Sequence, residues 1–563
     1  MTSLPSSPAA TWRRDLLALA LLFGALYFFL LGRAPLDNPD EGRYAEIPRE
    51  MVATGDWVTP RLDGVDYFEK PPLGYWAVAA SLELFGPSEW ALRAVPALFG
   101  LGGVLLTYAT ARRLYGRAVG AAAAIVLGSC AFYAGLARFL NIDIAVSVLM
   151  SATLCAFILA LGEPPGARRR WLFHGVYAGA ALATLTKGLI GFLLPGAVML
   201  LWLVLCQQWR RLRPLHLPSG LALFLAIAAP WHLLVAARNP GWARFYFGDQ
   251  QWSRFTTTAL GRFHPWYYFI PILLGGLFPW VGFLGAGAGA ALRGGWARRR
   301  ENADRWFWAI WAAFIFLFFS ASDSKLATYI LPVFPPLSVL IGLMVAPAWQ
   351  ANAIGPIRGA VRIFAACALL IAVAVLAAVT IPGRFGLGAE PVQDGRRFAF
   401  ALAAVLMGGA AAGFWAAGRA EARPALAAIV ATSVLFVGIL APVTGLFYHP
   451  STRAVARWVK ANAQPGDRIF FYASFYHDFL YYAQRPVDGV GIHTDEVELG
   501  NDPAARPRFI EKPEFLREWA KPGRIFVLGQ KSNEFVELLR SDPSFHYHLP
   551  VQSRDFYLFS NEP

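Results

Sequence analysis

Charge is what this chain has least of. Only 15% of its 563 residues are Asp, Glu, Lys or Arg, while 56% are hydrophobic and the mean hydropathy is +0.45. Soluble globular domains carry about 25% charged residues, so this dilution excludes that class and points to a chain built for lipid. Lysine is scarcer still, with three in the first 447 residues: Lys70, Lys187 and Lys325. Cysteine is limited to Cys130, Cys155, Cys206 and Cys367, all within apolar runs. None falls in the polar C-terminal stretch, which excludes a disulfide framework there and leaves the four thiols as core filler. No repeat of fixed period is visible, and the Ala/Gly-rich stretch Gly285 to Ala291 suits close helix packing better than a flexible linker.

What the chain has is apolar length. A spanning helix needs about 20 apolar residues, and runs of that kind recur from Leu16 to Phe447, predicting about 13 spans. The formal charge of +14 and pI near 9.8 would suggest nucleic acid in a soluble protein. Here the arginines fall in short loops between apolar runs, where they set topology, so no nucleic-acid partner is expected. Arg13 and Arg14 precede the apolar stretch Asp15 to Leu31 with no small-residue cleavage pattern after it, which predicts a retained first span.

With a cytoplasmic N-terminus, the arginine-rich loops alternate as the positive-inside rule requires. They are Arg112, Arg113 and Arg117; Arg168 to Arg170; Arg210, Arg211 and Arg213; Arg293 and Arg298 to Arg300; Arg358 and Arg362; Arg419 and Arg423. The opposite loops, including Leu36 to Ser88 and Arg238 to Trp266, then lie outside, and an odd number of spans exports the C-terminus. From about Tyr448 the chain changes character. Helix-like segments near Ala454 to Asn462 and Pro513 to Trp519 are separated by strand-like runs Arg468 to Tyr472 and Arg524 to Leu528. The expected division is a transmembrane core over residues 1–447, with an outside loop over 34–88 bearing juxtamembrane helices, and a soluble extracytoplasmic α/β domain over 448–563.

That first outside loop carries acids, bases and aromatics at a density unmatched elsewhere in the membrane half, which makes it the first place to look for chemistry. From Asp40 to Ala53 the pattern predicts a short amphipathic helix, with Asp40 and Glu41 at its positive end and Tyr44, Ile47 and Met51 at helical spacing. Such a helix suits the membrane surface. Gly55-Asp56 and Pro71-Pro72 punctuate the loop and hold Phe68-Glu69-Lys70 just before an apolar helix near Tyr75. The plain alternative is a solvated loop.

All three lysines of the membrane half fall at outer ends of spans, against the positive-inside rule. A cation at that boundary is explained if it faces a lipid phosphate; the bland account is snorkelling at a helix end. The outside segment from Trp242 through Arg244 and Arg254 to Arg262, His264 and Trp266 interleaves cations with aromatics. It reads either as a groove for an amphiphilic headgroup or as an interfacial aromatic belt. Asp143 opens a span and is either an ordinary helix cap or a functional carboxylate.

The residues Asp40-Glu41, Arg43-Tyr44-Ala45-Glu46, Arg49-Glu50-Met51, Gly55-Asp56-Trp57, Pro60, Gly64 and Tyr67 to Pro71 resemble the loop signature of aminoarabinose transferases that modify lipid A. More loosely, they resemble that of protein O-mannosyltransferases. The similarity continues through Phe245 to Trp280 and through Ser324-Lys325-Leu326 and Tyr329 to Pro332. The resemblance implies a C-type glycosyltransferase fold: an all-α polytopic membrane core with a C-terminal α/β domain in the periplasm. It implies undecaprenyl phosphate carrying 4-amino-4-deoxy-L-arabinose as donor, a phosphate of lipid A as acceptor, and a multi-pass place in the bacterial inner membrane.

By the same resemblance, Asp40 and Asp143 are the essential carboxylates, and Lys70, Arg254 and Tyr329 bind the donor phosphate. Arg43, Tyr44, Tyr67, Glu69 and Lys187 join them as substrate-binding candidates. No cofactor is required by this reading; Glu69 and His264 could share a divalent metal, although two scattered ligands make a weak case. One alternative keeps the lipid-linked donor but changes the acceptor to a protein hydroxyl or another glycan. A second is a lipid transporter, for which paired inverted repeats and midplane charges are expected and not seen. A third, a membrane-anchored scaffold, leaves Asp40, Lys70 and Arg254 without a common purpose.

Overall fold

The computed structural model describes residues 8–248, 263–381, 389–442, 444–446, 448–492, 508–530, 534–541 and 546–563. The chain divides into two compact units. The first comprises Met1–Leu31, Arg93–Ala236 and Ala243–Leu446, and the second Gly32–Leu92, Ala237–Trp242 and Phe447–Pro563.

The first unit is helical. In a bilayer a helix satisfies its own backbone, and eight helices among the described residues are long and apolar enough to cross one. They run from Glu89–Tyr115 and Asp143–Gly162 to Gly395–Ala417 and Arg423–Leu440, and two shorter apolar helices accompany them, Arg117–Ser129 and Ile190–Cys206; a third, Leu73–Phe85, belongs to the second unit. Close approach is made by small residues. A Cβ on Gly287 of helix Phe283–Ala291 would lie 3.1 Å from Ile341 Cα, so the Ala/Gly-rich run serves close packing at that residue, while a Cβ on Gly285 or Gly289 would have no neighbour within 4 Å. Cys130, Cys155 and Cys206 are buried and Cys367 half-buried, all as thiols.

Both ends of the N-terminal helix Pro8–Phe28 are tied by arginine. Near its start, Asp15 accepts from Arg112 at 2.7 Å and from Arg117 at 2.7 Å. Past its end, Arg138 donates to the carbonyls of Leu26, Tyr27 and Phe29, and Arg93 to that of Leu31. Those of Leu26 and Tyr27 are carbonyls that a helix terminus leaves without an intrahelical partner.

The second unit joins residues 32–92 to the C-terminal tail. In the loop, helix Asp40–Thr54 is closed by Gly55, whose φ of 71° lets its N–H return to the Met51 carbonyl. A hairpin follows, β1 (Arg61–Leu62) against β2 (Val65–Asp66), turning on Asp63-Gly64 with φ of 56° and 76°. Two consecutive positive φ values are the demand of a type I′ turn, which Asp-Gly meets.

The tail forms a six-stranded mixed sheet from β3 (Arg468–Tyr472), β4 (Asp488–Val490), β5 (Phe509–Ile510), β6 (Ile525–Gln530), β7 (His548–Gln552) and β8 (Phe556–Ser560). The strand order is β5-β4-β3-β6-β8-β7, with β5, β4, β3 and β6 parallel and β8 antiparallel to both β6 and β7. Alternation sorts the side chains. Phe470, Tyr472, Ile525 and Val527 pack with Phe515, Trp519 and Phe535 of helices Lys512–Trp519 and Glu534–Ser541. Phe471 turns the other way, to Phe475, Tyr476 and Phe479. Helices on both faces explain why the parallel strands are buried.

The helix expected on the membrane surface is largely enclosed by protein. Nine of the 15 residues of Asp40–Thr54 are buried, Glu41, Arg43, Glu46 and Glu50 among them. Amphipathic spacing gave the helix but not its surroundings, because its neighbours, helices Leu73–Phe85 and His477–Ala483, are brought to it by tertiary structure.

Candidate functional site

In the first unit the structure gathers three of the sequence-derived candidates. Asp143 is the first residue of helix Asp143–Gly162, and Lys187 is the last residue of helix Ala167–Lys187. Each charge therefore sits at the helix pole that favours it. The Lys187 ammonium pairs with the Asp143 carboxylate and lies 4.8 Å from the centre of the Tyr329 ring. Both charged side chains are mostly buried, at 12% and 15% exposure. The capping account of Asp143 is not what the structure shows. Asn141 Oδ1 accepts from the Asp143 and Ile144 amides at 2.7 and 3.1 Å, and the Asp143 carboxylate is left for the lysine.

Lys325 departs from the expectation of an ammonium facing phosphate. It is 2% exposed, and its Nζ donates to the His264 carbonyl at 2.9 Å and to the Ser322 carbonyl, tying two segments of backbone together. The His264 ring stacks on Tyr268 with centroids 4.1 Å apart.

In the second unit, helix Asp40–Thr54 presents Asp40 with 49% of its side chain exposed and holds it to the buried Arg43 at 2.5 Å. Arg43 in turn lies 5.5 Å from the Tyr44 ring, and Tyr44 lies 6.0 Å from the buried Tyr75. Asp40, Arg43 and Tyr44 thus form one continuous cluster. Tyr67 is buried after the hairpin, its N–H on the Pro60 carbonyl. Lys70 donates to the Glu69 carboxylate at 3.3 Å and to the Glu69 carbonyl at 3.2 Å, and both side chains are 13% exposed. Arg254 lies outside the described residues.

Several polar residues that are not among the site candidates do as much to build this region. Glu46 pairs with Arg49 at 2.6 Å and is hydrogen-bonded to Glu50, which accepts the Gly64 amide at 3.1 Å. Burial, and then the neighbouring Glu46 charge, push the Glu50 carboxyl up to about 7. Asp63, at the hairpin tip, is also raised by burial despite Arg508, which reaches it at 2.6 Å. Asp478 is wholly buried and binds Asn38 of the loop. Glu46, Arg49 and Glu50 meet within one helix, whereas Asp63 with Arg508 and Asp478 with Asn38 join residues 445 and 440 apart, and one sequence carries no sign of such pairing.

The metal candidates stand apart from any ligand cluster. The Glu69 carboxylate faces Lys70 and the His264 ring faces Tyr268. Among the described residues no group of three or more His, Cys, Asp or Glu side chains is arranged to hold an ion.

Against known proteins, residues 69–233 match the dolichyl-phosphate-mannose-protein mannosyltransferase family profile. An undecaprenyl phosphate-α-4-amino-4-deoxy-L-arabinose arabinosyl transferase of Erwinia tasmaniensis is 34% identical over 411 residues, 70% of each chain. The chain belongs to that arabinosyl transferase family. A second family member, from Pseudomonas aeruginosa, is 35% identical over 335 residues, 59% of each chain. The crystal structure of ArnT from Cupriavidus metallidurans bound to undecaprenyl phosphate superposes with a TM-score of 0.83 at 28% identity, covering 98% of both chains. The Archaeoglobus fulgidus oligosaccharyltransferase shares the fold alone, with a TM-score of 0.51 at 12% identity, covering 97% of this chain and 74% of that one. Like those proteins, this arabinosyl transferase family member is a multi-span membrane protein.

Proposed function

We propose that this protein transfers 4-amino-4-deoxy-L-arabinose from undecaprenyl phosphate to a phosphate group of lipid A, at the periplasmic face of the inner membrane. The product carries an amine where the acceptor carried only negative charge, and so resists polymyxin and other cationic antimicrobial peptides. The observation that carries the proposal is the likeness over 98% of the chain to an ArnT structure holding undecaprenyl phosphate. About 13 spans, with the N-terminus in the cytoplasm and the α/β domain over residues 448–563 in the periplasm, belong to the same proposal. The alternating arginine loops support it.

In this reading the sugar's anomeric carbon leaves the oxygen of undecaprenyl phosphate and is captured by an oxygen of the acceptor phosphate. Negative charge gathers on the departing phosphate, and Lys70, Arg254 and the Tyr329 hydroxyl are the groups assigned to it. An acceptor phosphate is already anionic and needs less help from a base than a serine hydroxyl does. Asp40 and Asp143 then orient the sugar or acceptor and balance the cations around them. Arg43, Tyr44, Tyr67, Glu69 and Lys187 complete the substrate-binding groups. The exposure of Asp40 beside a buried Arg43, and the Lys187 ammonium between a carboxylate and an aromatic ring, are consistent with that work.

A second acceptor, a protein hydroxyl or another glycan, is favoured by the mannosyltransferase profile over residues 69–233. Mass spectrometry of lipid A separates the two. The native protein is expressed in a polymyxin-sensitive strain lacking its own transferase, beside Asp40→Ala at matched level. An aminoarabinose mass shift with the native protein alone supports the proposal. No shift with well-expressed native protein overturns lipid A as acceptor.

A further inference from the structure

Asp478 sits in the first turn of helix His477–Ala483, far in sequence from any assigned site residue, and has no exposed surface. A carboxylate taken out of water must have its acceptor sites filled, and here four donors fill them. Oδ1 accepts from Asn38 Nδ2 at 2.7 Å and from Thr452 Oγ1 at 2.9 Å. Oδ2 accepts from Ser451 Oγ and from the Thr452 amide, each at 2.9 Å. The bond to the loop is returned, because the Asp478 amide donates to Asn38 Oδ1 at 3.0 Å.

Asn38 stands two residues before Asp40, at the entry to helix Asp40–Thr54. The same helix is held a second way. Gly42 packs against the start of helix His477–Ala483 so closely that a Cβ there would lie 2.6 Å from the His477 carbonyl carbon and closer still to the Asp478 amide nitrogen. Both are backbone atoms, so no side-chain rotation could make room. The chain just before the helix is fixed as well: the Leu36 amide donates to Tyr482 Oη at 2.9 Å, and Asp37 accepts from His449 at 2.8 Å. Helix Asp40–Thr54 is therefore seated on the tail by a reciprocal polar pair and by one backbone contact that only glycine permits.

We infer that Asn38 and Asp478 are positioning residues for the transfer reaction, seating the N-terminal turn of helix Asp40–Thr54 so that Asp40 is presented at its working position. This rests on the reading of Asp40 as a reacting-site carboxylate. A displacement of about 1 Å at a reacting group can cost about 100-fold in rate. Loosening the seat should therefore lower kcat while leaving the affinity for undecaprenyl phosphate unchanged.

The test uses the full-length purified protein with the lipid-linked aminoarabinose donor and lipid A. Two variants disturb the seat by different means, Asn38→Ala by removing the polar pair and Gly42→Ala by pushing the helix away without changing any polar group. Each is compared with the native protein and with Asp40→Ala, and thermal unfolding confirms that it is folded. The expected result is a fall in kcat of about 10- to 100-fold in each variant, with undecaprenyl phosphate binding within about twofold of native. Unchanged kcat in both folded single variants, with Asp40→Ala inactive, overturns the positioning role and leaves Asp40 standing. A loss of undecaprenyl phosphate binding that matches the loss of kcat overturns it too, since it indicates a general structural defect. A fully active Asp40→Ala removes the reading of Asp40 itself, and the proposal with it.

Discussion

Lys187 and Asp143, 44 residues apart in sequence, meet as an ion pair at the facing ends of two apolar helices, with the lysine also against the Tyr329 ring. Neither helix end would hold its charge cheaply alone. Together they neutralise one another at a site where helix poles and a ring face assist both.

Removing one partner leaves the other charge mostly buried and unmatched. Lys187→Ala and Asp143→Ala should each destabilise the protein by about 3 kcal/mol, whereas the double replacement should be less damaging than the sum of the two. Thermal unfolding of the native protein, both single variants and the double variant gives the coupling directly. Strict additivity would show that the pair contributes nothing as a pair. Transfer activity should be lost in all three variants.

Lys70 and Arg254 are assigned to the donor phosphate, and a hydrogen bond to a charged group is worth about 1.5–3 kcal/mol. Lys70→Ala or Arg254→Ala should therefore weaken undecaprenyl phosphate binding by about 10- to 100-fold, measured on purified protein in detergent. Undiminished binding in both would sink the phosphate assignment.

Glu50 supplies a pH dependence with a definite sign. Its carboxyl, ordinarily near 4.5, is raised to about 7 by burial and by Glu46, so the folded chain holds this proton more tightly than the unfolded chain. The stability it contributes is full below about pH 4.5 and is lost as pH rises through about 7, an effect of about 3 kcal/mol. Glu50→Gln keeps an acceptor for the Gly64 amide and cannot ionise. Its melting temperature should exceed that of the native protein at pH 7.5 and vary less between pH 4.5 and 7. A native-like pH profile in Glu50→Gln would place the titrating group elsewhere.

The parts of this architecture that were legible in the sequence are those with a local period. Long apolar runs gave the membrane helices, and i, i+3, i+4 spacing with two leading acids gave helix Asp40–Thr54. Apolar runs between turn residues gave Arg468–Tyr472 and, starting one residue later and ending two later than the run Arg524 to Leu528, Ile525–Gln530. Strands Asp488–Val490 and Phe509–Ile510 are too short to show any period, and their pairing is decided by neighbours in the sheet. Candidate residues such as Asp143 and Lys187 could be named one by one, from position and resemblance. That they pair, that Asn141 rather than Asp143 caps its helix, and that Lys325 serves two carbonyls are consequences of packing, which no spacing within the chain records.

Asp63 and Arg508 show how strongly such a distant contact can hold the loop. Asp63 lies at the tip of the β1–β2 hairpin with 5% exposure, and Arg508 Nη2 reaches its carboxylate while Nη1 reaches its carbonyl, both at 2.6 Å. The Val487 amide adds a third bond at 3.2 Å. Arg508→Ala strands a buried carboxylate already raised by desolvation, and should destabilise the protein by about 3–5 kcal/mol near neutral pH. The loss should shrink as pH falls, because Asp63 then enters the folded state protonated and without charge. Asp63→Asn removes the charge while keeping a residue that tolerates positive φ, so the Arg508→Ala/Asp63→Asn protein should recover much of the lost stability at pH 7.5. Melting curves of the three variants at pH 5 and 7.5 decide the matter. A double variant no more stable than Arg508→Ala at pH 7.5 would mean that Arg508 acts through the Asp63 and Val487 carbonyls it also binds, and not through the buried charge.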